Sequence, residues 1–249
     1  MAHYNCLLFD VDGTLLDFHA AEHAALRDTL VHFQFPDIEA AAAQYQEINT
    51  QLWAALERGE VKQEKLVVQR FLQLMTACGM HGDAAKVNEY YLTQLGAHAD
   101  MLPGADETLK ELAEVATLAV VSNGVERVQL DRLETSGLGA FFDGVFVSGR
   151  VGAAKPARKI FDTALQSLGV ENKEKVLVIG DSLKADIAGG KNAGLATCWC
   201  NFEDMALPEG APQPTYTIRG FEELLHIVME QEELNNVGSP EKRHQLPVV

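Results

Sequence analysis

The chain has 249 residues, enough for one large domain or two small ones, each able to bury a core. Its formal net charge of −16 argues against a nucleic acid polymer as partner, since such polymers select basic surfaces. With 47% apolar and 22% charged residues the composition is that of an ordinary soluble globule, and no run approaches the roughly 20 apolar residues of a membrane span. The first residues, Met1 to Asn5, are polar, and the apolar run after them is too short for a signal peptide. A cytoplasmic protein with no membrane contact is therefore expected. Cys6, Cys78, Cys198 and Cys200 are scattered in mostly apolar contexts without the second Cys/His cluster of a structural zinc site, so they read as reduced, buried thiols.

In chain order, the run Tyr4–Phe9 reads as a buried strand that ends in Asp10-Val11-Asp12-Gly13-Thr14. Two carboxylates so close repel each other unless a cation or a shared proton relieves them. An Asx-turn capping the strand is the structural alternative for this string alone. Residues 17–100 then read as helix after helix, with Glu39–Leu56 and Glu64–Cys78 showing amphipathic spacing broken at Gly59 and Gly79. Leu102-Pro103-Gly104 marks the return point.

From there strands alternate with helices. Helix Ala105–Val115 precedes strand Ala116–Val121, which ends in Ser122-Asn123-Gly124 and opens helix Val125–Ser136. A hydroxyl beside the N–H groups of a helix start can seat an anion. A weaker strand at Gly144–Val147 is followed by Ala154-Lys155-Pro156 and helix Ala157–Leu168. Strand Val176–Ile179 leads into Gly180-Asp181-Ser182-Leu183-Lys184-Ala185-Asp186 and helix Leu183–Ala193. N-capping by Asp181 or Ser182 would explain one polar residue there, not the whole set. Strand Leu195–Cys200, a short Tyr216–Ile218 run and helix Gly220–Glu230 complete the pattern.

Strands alternating with helices predict an α/β fold: a Rossmann-like, doubly wound parallel sheet with an inserted α-helical cap. The expected core covers 1–16 and 101–231, the cap 17–100, and the tail 232–249 is expected to be disordered. Four strand ends would bring Asp10, Asp12, Ser122, Lys155, Asp181 and Asp186 to one sheet edge, where ligands bind in open α/β sheets. Acids in excess over bases there suit a hard cation such as Mg²⁺. Ser122 and Lys155 supply the donor and positive charge that a phosphoryl group needs.

These four motifs, DVDGT (10–14), VSN (121–123), the lysine of AKP (154–156) and GDSLKAD (180–186), stand in the order of the haloacid dehalogenase superfamily, which the chain resembles over residues 4–230. The resemblance implies Asp10 as nucleophile forming an aspartyl phosphate, and Asp12 as general acid–base. It implies Asp10, the Asp12 backbone carbonyl and Asp181 as Mg²⁺ ligands, with Asp186 supporting the metal site. Ser122 and Lys155, with Asn123 beside them, would hold the phosphoryl group. The superfamily's dehalogenases lack an acid at position 12, so Asp12 points to phosphomonoester chemistry.

The segment Asn49 to Val61 resembles part of the cap of bacterial pyrimidine 5′-nucleotidases. Trp53 is either a core residue between cap helices or an aromatic that stacks on a base. Phe18, His19 and His23 could line the entrance, with a surface position the favoured reading for His23. Gly149 and Arg150 depart from relatives that carry acids there. The expected substrate is a nucleoside monophosphate, with phosphoglycolate, a sugar phosphate, a phosphomutase and a non-catalytic binding protein as alternatives. Either a monomer or a homodimer fits.

Overall fold

The computed structural model describes residues 3–229. Six strands form one parallel sheet: β1 Cys6–Phe9, β2 Thr117–Ser122, β3 Gly144–Val147, β4 Val176–Gly180, β5 Ala196–Cys200 and β6 Tyr216–Ile218. Their order is β3-β2-β1-β4-β5-β6, with every pairing parallel. In β1 and β4 every residue is buried, as continuous apolar runs in a sheet covered on both faces require.

The two-residue alternation of the strands sorts their side chains into two cores. Leu7, Phe9, Leu118, Val120, Leu177 and Ile179 point to one face. They meet Ala105, Leu109 and Leu112 of α5 (Ala105–Ala113), Leu133 of α6 (Glu126–Ser136) and Phe221, Leu224 and Val228 of α10 (Phe221–Met229). Cys6, Leu8, Ala119, Val121, Val176 and Val178 point to the other. Ile160, Phe161, Ala164 and Leu165 of α8 (Arg158–Ser167) and Ala193 of α9 (Ala188–Ala193) cover that face. The sheet is doubly wound, as the sequence pattern predicts.

Between β1 and α5 the chain forms four helices: α1 Phe18–His32, α2 Ile38–Glu57, α3 Gln63–Ala77 and α4 Ala84–Ala97. Asp17, Asp37 and Asp83 cap three of them, each side chain accepting from an N–H of the first turn. The helices pack on a core of their own that includes Leu26, Leu30, Tyr45, Phe71, Tyr91 and Leu95, and Val128 of α6 joins it. The chain leaves for this insertion and returns from it side by side: Leu16 bridges Met101, and Asp17 N donates to Asp100 O at 2.9 Å.

Differences from expectation are local. The first strand begins at Cys6 rather than Tyr4. The expected helix Leu183–Ala193 opens with a π turn, Leu183–Ile187, before α9. A four-residue helix, α7 (Ser148–Val151), follows β3 and is too short to leave a periodic pattern. Cys78 is half-buried, not buried like Cys6, Cys198 and Cys200. The expected tail 232–249 lies outside the described residues. Among the described residues no helix is long and apolar enough to cross a membrane.

Candidate active site

Strand ends β1, β2 and β4 converge with the Lys155 loop. At the tip of β1 the backbone turns at Gly13, whose φ of +75° favours glycine. A Cβ there would also stand 2.7 Å from Asp181 Oδ2, so glycine lets the β1 and β4 turns approach. Thr14 ties them together: its Oγ1 accepts from Asp181 N at 3.0 Å. Beyond β4, Ser182 is the cap, its Oγ accepting from Ala185 N at 3.1 Å, which leaves the Asp181 carboxylate outside the capping role. The π turn carries Asp186 back toward β4, where Oδ2 accepts from Ser182 N at 3.0 Å.

Lys155 is buried at the centre of this cluster. Its Nζ donates to Asp10 Oδ1 at 2.7 Å, Asp186 Oδ1 at 2.6 Å and Val121 O at 2.8 Å, which accounts for all three ammonium protons. Burial works to lower the Lys155 pKa, but Asp10 and Asp186 outweigh it and hold the ammonium charged. Asn123 fixes the lysine's backbone through its side-chain amide.

Ligand oxygens of Asp10, Asp181 and Asp186 lie within 4.8 Å of one another. Burial, with Asp10 and Asp186 adding, pushes Asp181 well above the usual carboxylate range. Burial likewise raises Asp186 to about 6, with Lys155 opposing and Asp10 adding. One lysine for three clustered acids leaves negative charge uncompensated. This hard-oxygen donor set fits a divalent cation.

The Asp12 carboxylate turns away from this group. Oδ1 accepts from Arg132 Nη1 and Oδ2 from Gln129 Nε2 at 2.6 Å, both on α6. Burial raises the Asp12 pKa, Arg132 opposes, and Asp10 adds to it. Ser122 is buried, and its Oγ accepts from Gly124 N at 3.0 Å and Gln129 Nε2 at 3.2 Å. No side chain caps the start of α6, so its first N–H groups are available to an anion beside Ser122.

Above the cluster is a cavity of about 470 Å³ that Asp10, Asp12, Ser122, Asn123, Lys155, Asp181 and Asp186 all line. Its other wall comes from the helical insertion and includes Phe18, Glu22, Asn49, Trp53 and Arg70. Trp53 also packs beside Leu56, Leu66 and Val67, so the same side chain lines the cavity and belongs to an apolar cluster of the insertion. A polar network runs through that wall. Trp53 Nε1 donates to Asn49 Oδ1 at 3.0 Å, Asn49 Nδ2 to Glu22 Oε1 at 2.9 Å, and Arg70 Nη1 to Asn49 Oδ1 at 3.3 Å. The Arg70 guanidinium lies over the Tyr91 ring, 4.6 Å from its centroid.

Sequence reasoning missed this network, and it missed Gln129, Arg132 and Gln63. Gln63, at the start of α3, donates to Asn123 O at 2.6 Å and Gly124 O at 2.8 Å. His19 and His23 are exposed and do not line the cavity. Arg150 is exposed and pairs with Glu126 at 3.0 Å, so it adds no charge to the cavity wall.

A doubly wound sheet with carboxylates and one buried lysine at its strand ends defines a hydrolase class. The family model for haloacid dehalogenase-like hydrolases matches residues 4–194, and the chain belongs to that family. Among curated relatives it is 40% identical to the HAD-hydrolase YfnB of Bacillus subtilis, over 92% of this chain and 97% of that one. It is 38% identical to the pyrimidine 5′-nucleotidase PynA of Streptococcus pneumoniae (89% and 94% covered). To the pyrimidine 5′-nucleotidase YjjG of Escherichia coli it is 34% identical (90% and 98% covered). A crystal structure of YfnB bound to magnesium, described as revealing interdomain movement, superposes with a TM-score of 0.84 over 90% of this chain and 98% of that one.

Proposed function

We propose that this hydrolase is a Mg²⁺-dependent phosphatase of nucleoside 5′-monophosphates, with a preference for pyrimidines, working through an aspartyl phosphate on Asp10. The observation that carries the reading is the shared cavity. The Asp10–Lys155–Asp181–Asp186 cluster forms its floor, and an aromatic and hydrogen-bonding wall around Trp53 and Asn49 stands opposite. Two relatives named pyrimidine 5′-nucleotidases, matched over nearly their whole length, support the substrate class.

In this reading residues 17–100 are the cap and the sheet with its covering helices is the catalytic core. Asp10, Asp181 and the Asp12 backbone carbonyl would hold Mg²⁺, and Asp186 supports them through Lys155. When bound, the ion supplies positive charge that offsets the buried acids and the phosphoryl oxygens.

The residues divide the remaining work. Lys155 holds Asp10 Oδ1, so Oδ2 is the oxygen free to attack phosphorus. As the P–Oδ2 bond forms and the ester P–O bond breaks, Asp12 passes its proton to the leaving oxygen. A water then gives a proton to Asp12 and attacks phosphorus. The P–Oδ2 bond breaks, orthophosphate leaves and Asp10 is restored. Ser122 and the first N–H groups of α6 receive the phosphoryl oxygens. Trp53 and the Asn49 network receive the nucleoside.

Phosphate release with Mg²⁺ across dUMP, dTMP, UMP, purine monophosphates, phosphoglycolate, glucose 1-phosphate and p-nitrophenyl phosphate tests this. The expected result is a clear excess of kcat/KM for pyrimidine monophosphates. Turnover of the aryl ester with no nucleotide preference would keep the phosphatase and discard the nucleotidase.

A further inference from the structure

We propose that Arg132 is the positioning residue for Asp12, fixing the carboxylate from the point where the helical insertion joins the core. The proposal rests on the reading of Asp12 as the acid–base group, and it extends that reading to residues outside the four motifs.

Arg132 is 0% exposed, the largest fully buried side chain among the described residues. Its guanidinium has three neighbours. Nη1 donates to Asp12 Oδ1. Nε donates at 2.8 Å to the carbonyl of His98, the residue that ends α4 as the chain returns from the insertion. The ring of Phe18, the first residue of α1 where the chain departs, lies 5.7 Å from Cζ. One side chain thus touches both connecting segments and the carboxylate. The guanidinium's fixed fork of donors meets the Asp12 and His98 oxygens at once, and its charge lies over the Phe18 ring.

Gln129 completes the arrangement one turn earlier on α6. Its Nε2 donates to Asp12 Oδ2 at 2.6 Å and to Ser122 Oγ at 3.2 Å. Both Asp12 oxygens are therefore held from one helix face, by residues three apart. Gly124 makes room for this: a Cβ there would stand 2.0 Å from Gln129 Nε2. A surface-type ion pair would not need a glycine cleared for its partner. Nη2 of Arg132 and Oε1 of Gln129 are buried with no hydrogen-bond partner among the described residues. Burying such groups is costly, so packing alone does not account for their choice.

Leaving-group dependence separates positioning from stability. An alkyl phosphate needs a proton on its leaving oxygen, whereas p-nitrophenolate leaves without one. In R132Q the kcat/KM for a nucleoside 5′-monophosphate should fall about 100-fold or more, the range for loss of general acid catalysis. For p-nitrophenyl phosphate it should fall less than about 5-fold. A burst of p-nitrophenolate stoichiometric with enzyme should follow, because the water step also needs Asp12. R132K should recover part of the alkyl activity.

Equal loss on both esters in a folded R132Q would overturn the proposal. Should R132Q lack a cooperative thermal transition, Gln129→Met takes its place. It removes one Asp12 bond and the longer one to Ser122 Oγ; the second bears on both esters alike, so the alkyl-selective part of the loss should still be about 10-fold. D12N, run in parallel, keeps the two ideas apart. Alkyl-selective loss in D12N but not in the α6 variants would discard Arg132 alone. An unchanged alkyl-to-aryl ratio in D12N would discard the acid–base reading beneath it.

Discussion

Asn123 clamps the peptide of Lys155 at two points. Its Nδ2 donates to Lys155 O at 2.9 Å, and its Oδ1 accepts from Lys155 N at 2.7 Å. The side-chain amide thereby acts like one more rung of the sheet at the end of β2. It fixes the backbone from which Nζ reaches Asp10 and Asp186, so the lysine loop is set by the β2 strand end.

Replacing Asn123 with Ala removes both bonds while leaving every charged group in place. The stability cost expected is about 2 kcal/mol for the pair, a Tm decrease of about 4–8 °C in a chain of this size. Because a misplacement of about 1 Å can cost 100-fold, kcat should fall about 10- to 100-fold. Steady-state kinetics at saturating substrate, beside a thermal melt, checks both figures. A kcat within twofold of wild type would mean that the Lys155 loop is placed without the clamp.

Metal binding should depend on pH in a direction set by the buried acids. Asp186, raised to about 6 by burial, keeps its proton in the folded, metal-free chain at pH values where the unfolded chain has lost it. Stability from this group is full below about pH 4 and is lost as pH rises through 6. Asp181 works in the same direction. A cation competes with those protons at acid pH and meets ionised ligands above it. The Tm gain from saturating Mg²⁺ over EDTA should therefore be larger near pH 7.5 than near pH 5.5. Equal gains at the two pH values would show that the protons held by Asp181 and Asp186 do not oppose the ion.

Legibility in the sequence follows how local each signal is. Asp10, Asp12, Ser122 and Asp181 each stand within a few residues of a strand end, and Lys155 and Asp186 stand in the turns that lead into the helices after β3 and β4, so a pattern of apolar runs and turns locates them. The strands and the helical insertion were legible for the same reason. Gln129 and Arg132 were not. They sit in α6, whose sequence Glu-Arg-Val-Gln-Leu-Asp-Arg-Leu-Glu-Thr-Ser reads as a largely solvated helix, yet Val128, Gln129, Arg132 and Leu133 are its buried residues. Val128 is buried against the insertion and Leu133 against the sheet core, while Gln129 and Arg132 are buried beside Asp12, all contacts between segments far apart in the chain. Glu22, Asn49, Arg70 and Asn88 are hidden likewise: charged and amide residues on helices that become interior only when four helices close on one another. The available clue was the three-residue spacing of Gln129 and Arg132 in the helix that follows Ser122-Asn123-Gly124.

Gln63 joins the insertion to the loop that follows β2. It is the first residue of α3, and it donates to two successive carbonyls, those of Asn123 and Gly124. Gly149 stands beside it: a Cβ at that position would come within 2.8 Å of Gln63 Oε1. Gln63→Ala should loosen the contact without touching the floor of the cavity. The expected outcome is a KM for the preferred nucleotide raised about 3- to 10-fold, corresponding to about 1 kcal/mol of lost binding. Gly149→Ala should move in the same direction by displacing the amide. Unchanged KM in both variants would show that the cavity wall is held in place without this contact.

Trp53 gives the sharpest test of the substrate class. It lines the cavity, and its Nε1 is held by Asn49 Oδ1 at 3.0 Å, so the indole orientation is fixed before any substrate arrives. Base–aromatic stacking contributes about 1–3 kcal/mol, which predicts that Trp53→Ala lowers kcat/KM for nucleoside monophosphates about 5- to 150-fold. Substrates with no base, such as phosphoglycolate, should change by less than about threefold, because the phosphoryl contacts lie on the opposite wall. Trp53→Phe keeps a ring but loses the bond to Asn49, and it should fall between the two. Comparing nucleotide and base-free esters in each variant cancels general damage to the cap. If the loss were the same for both ester classes, the indole would be supporting the cap core rather than meeting a base.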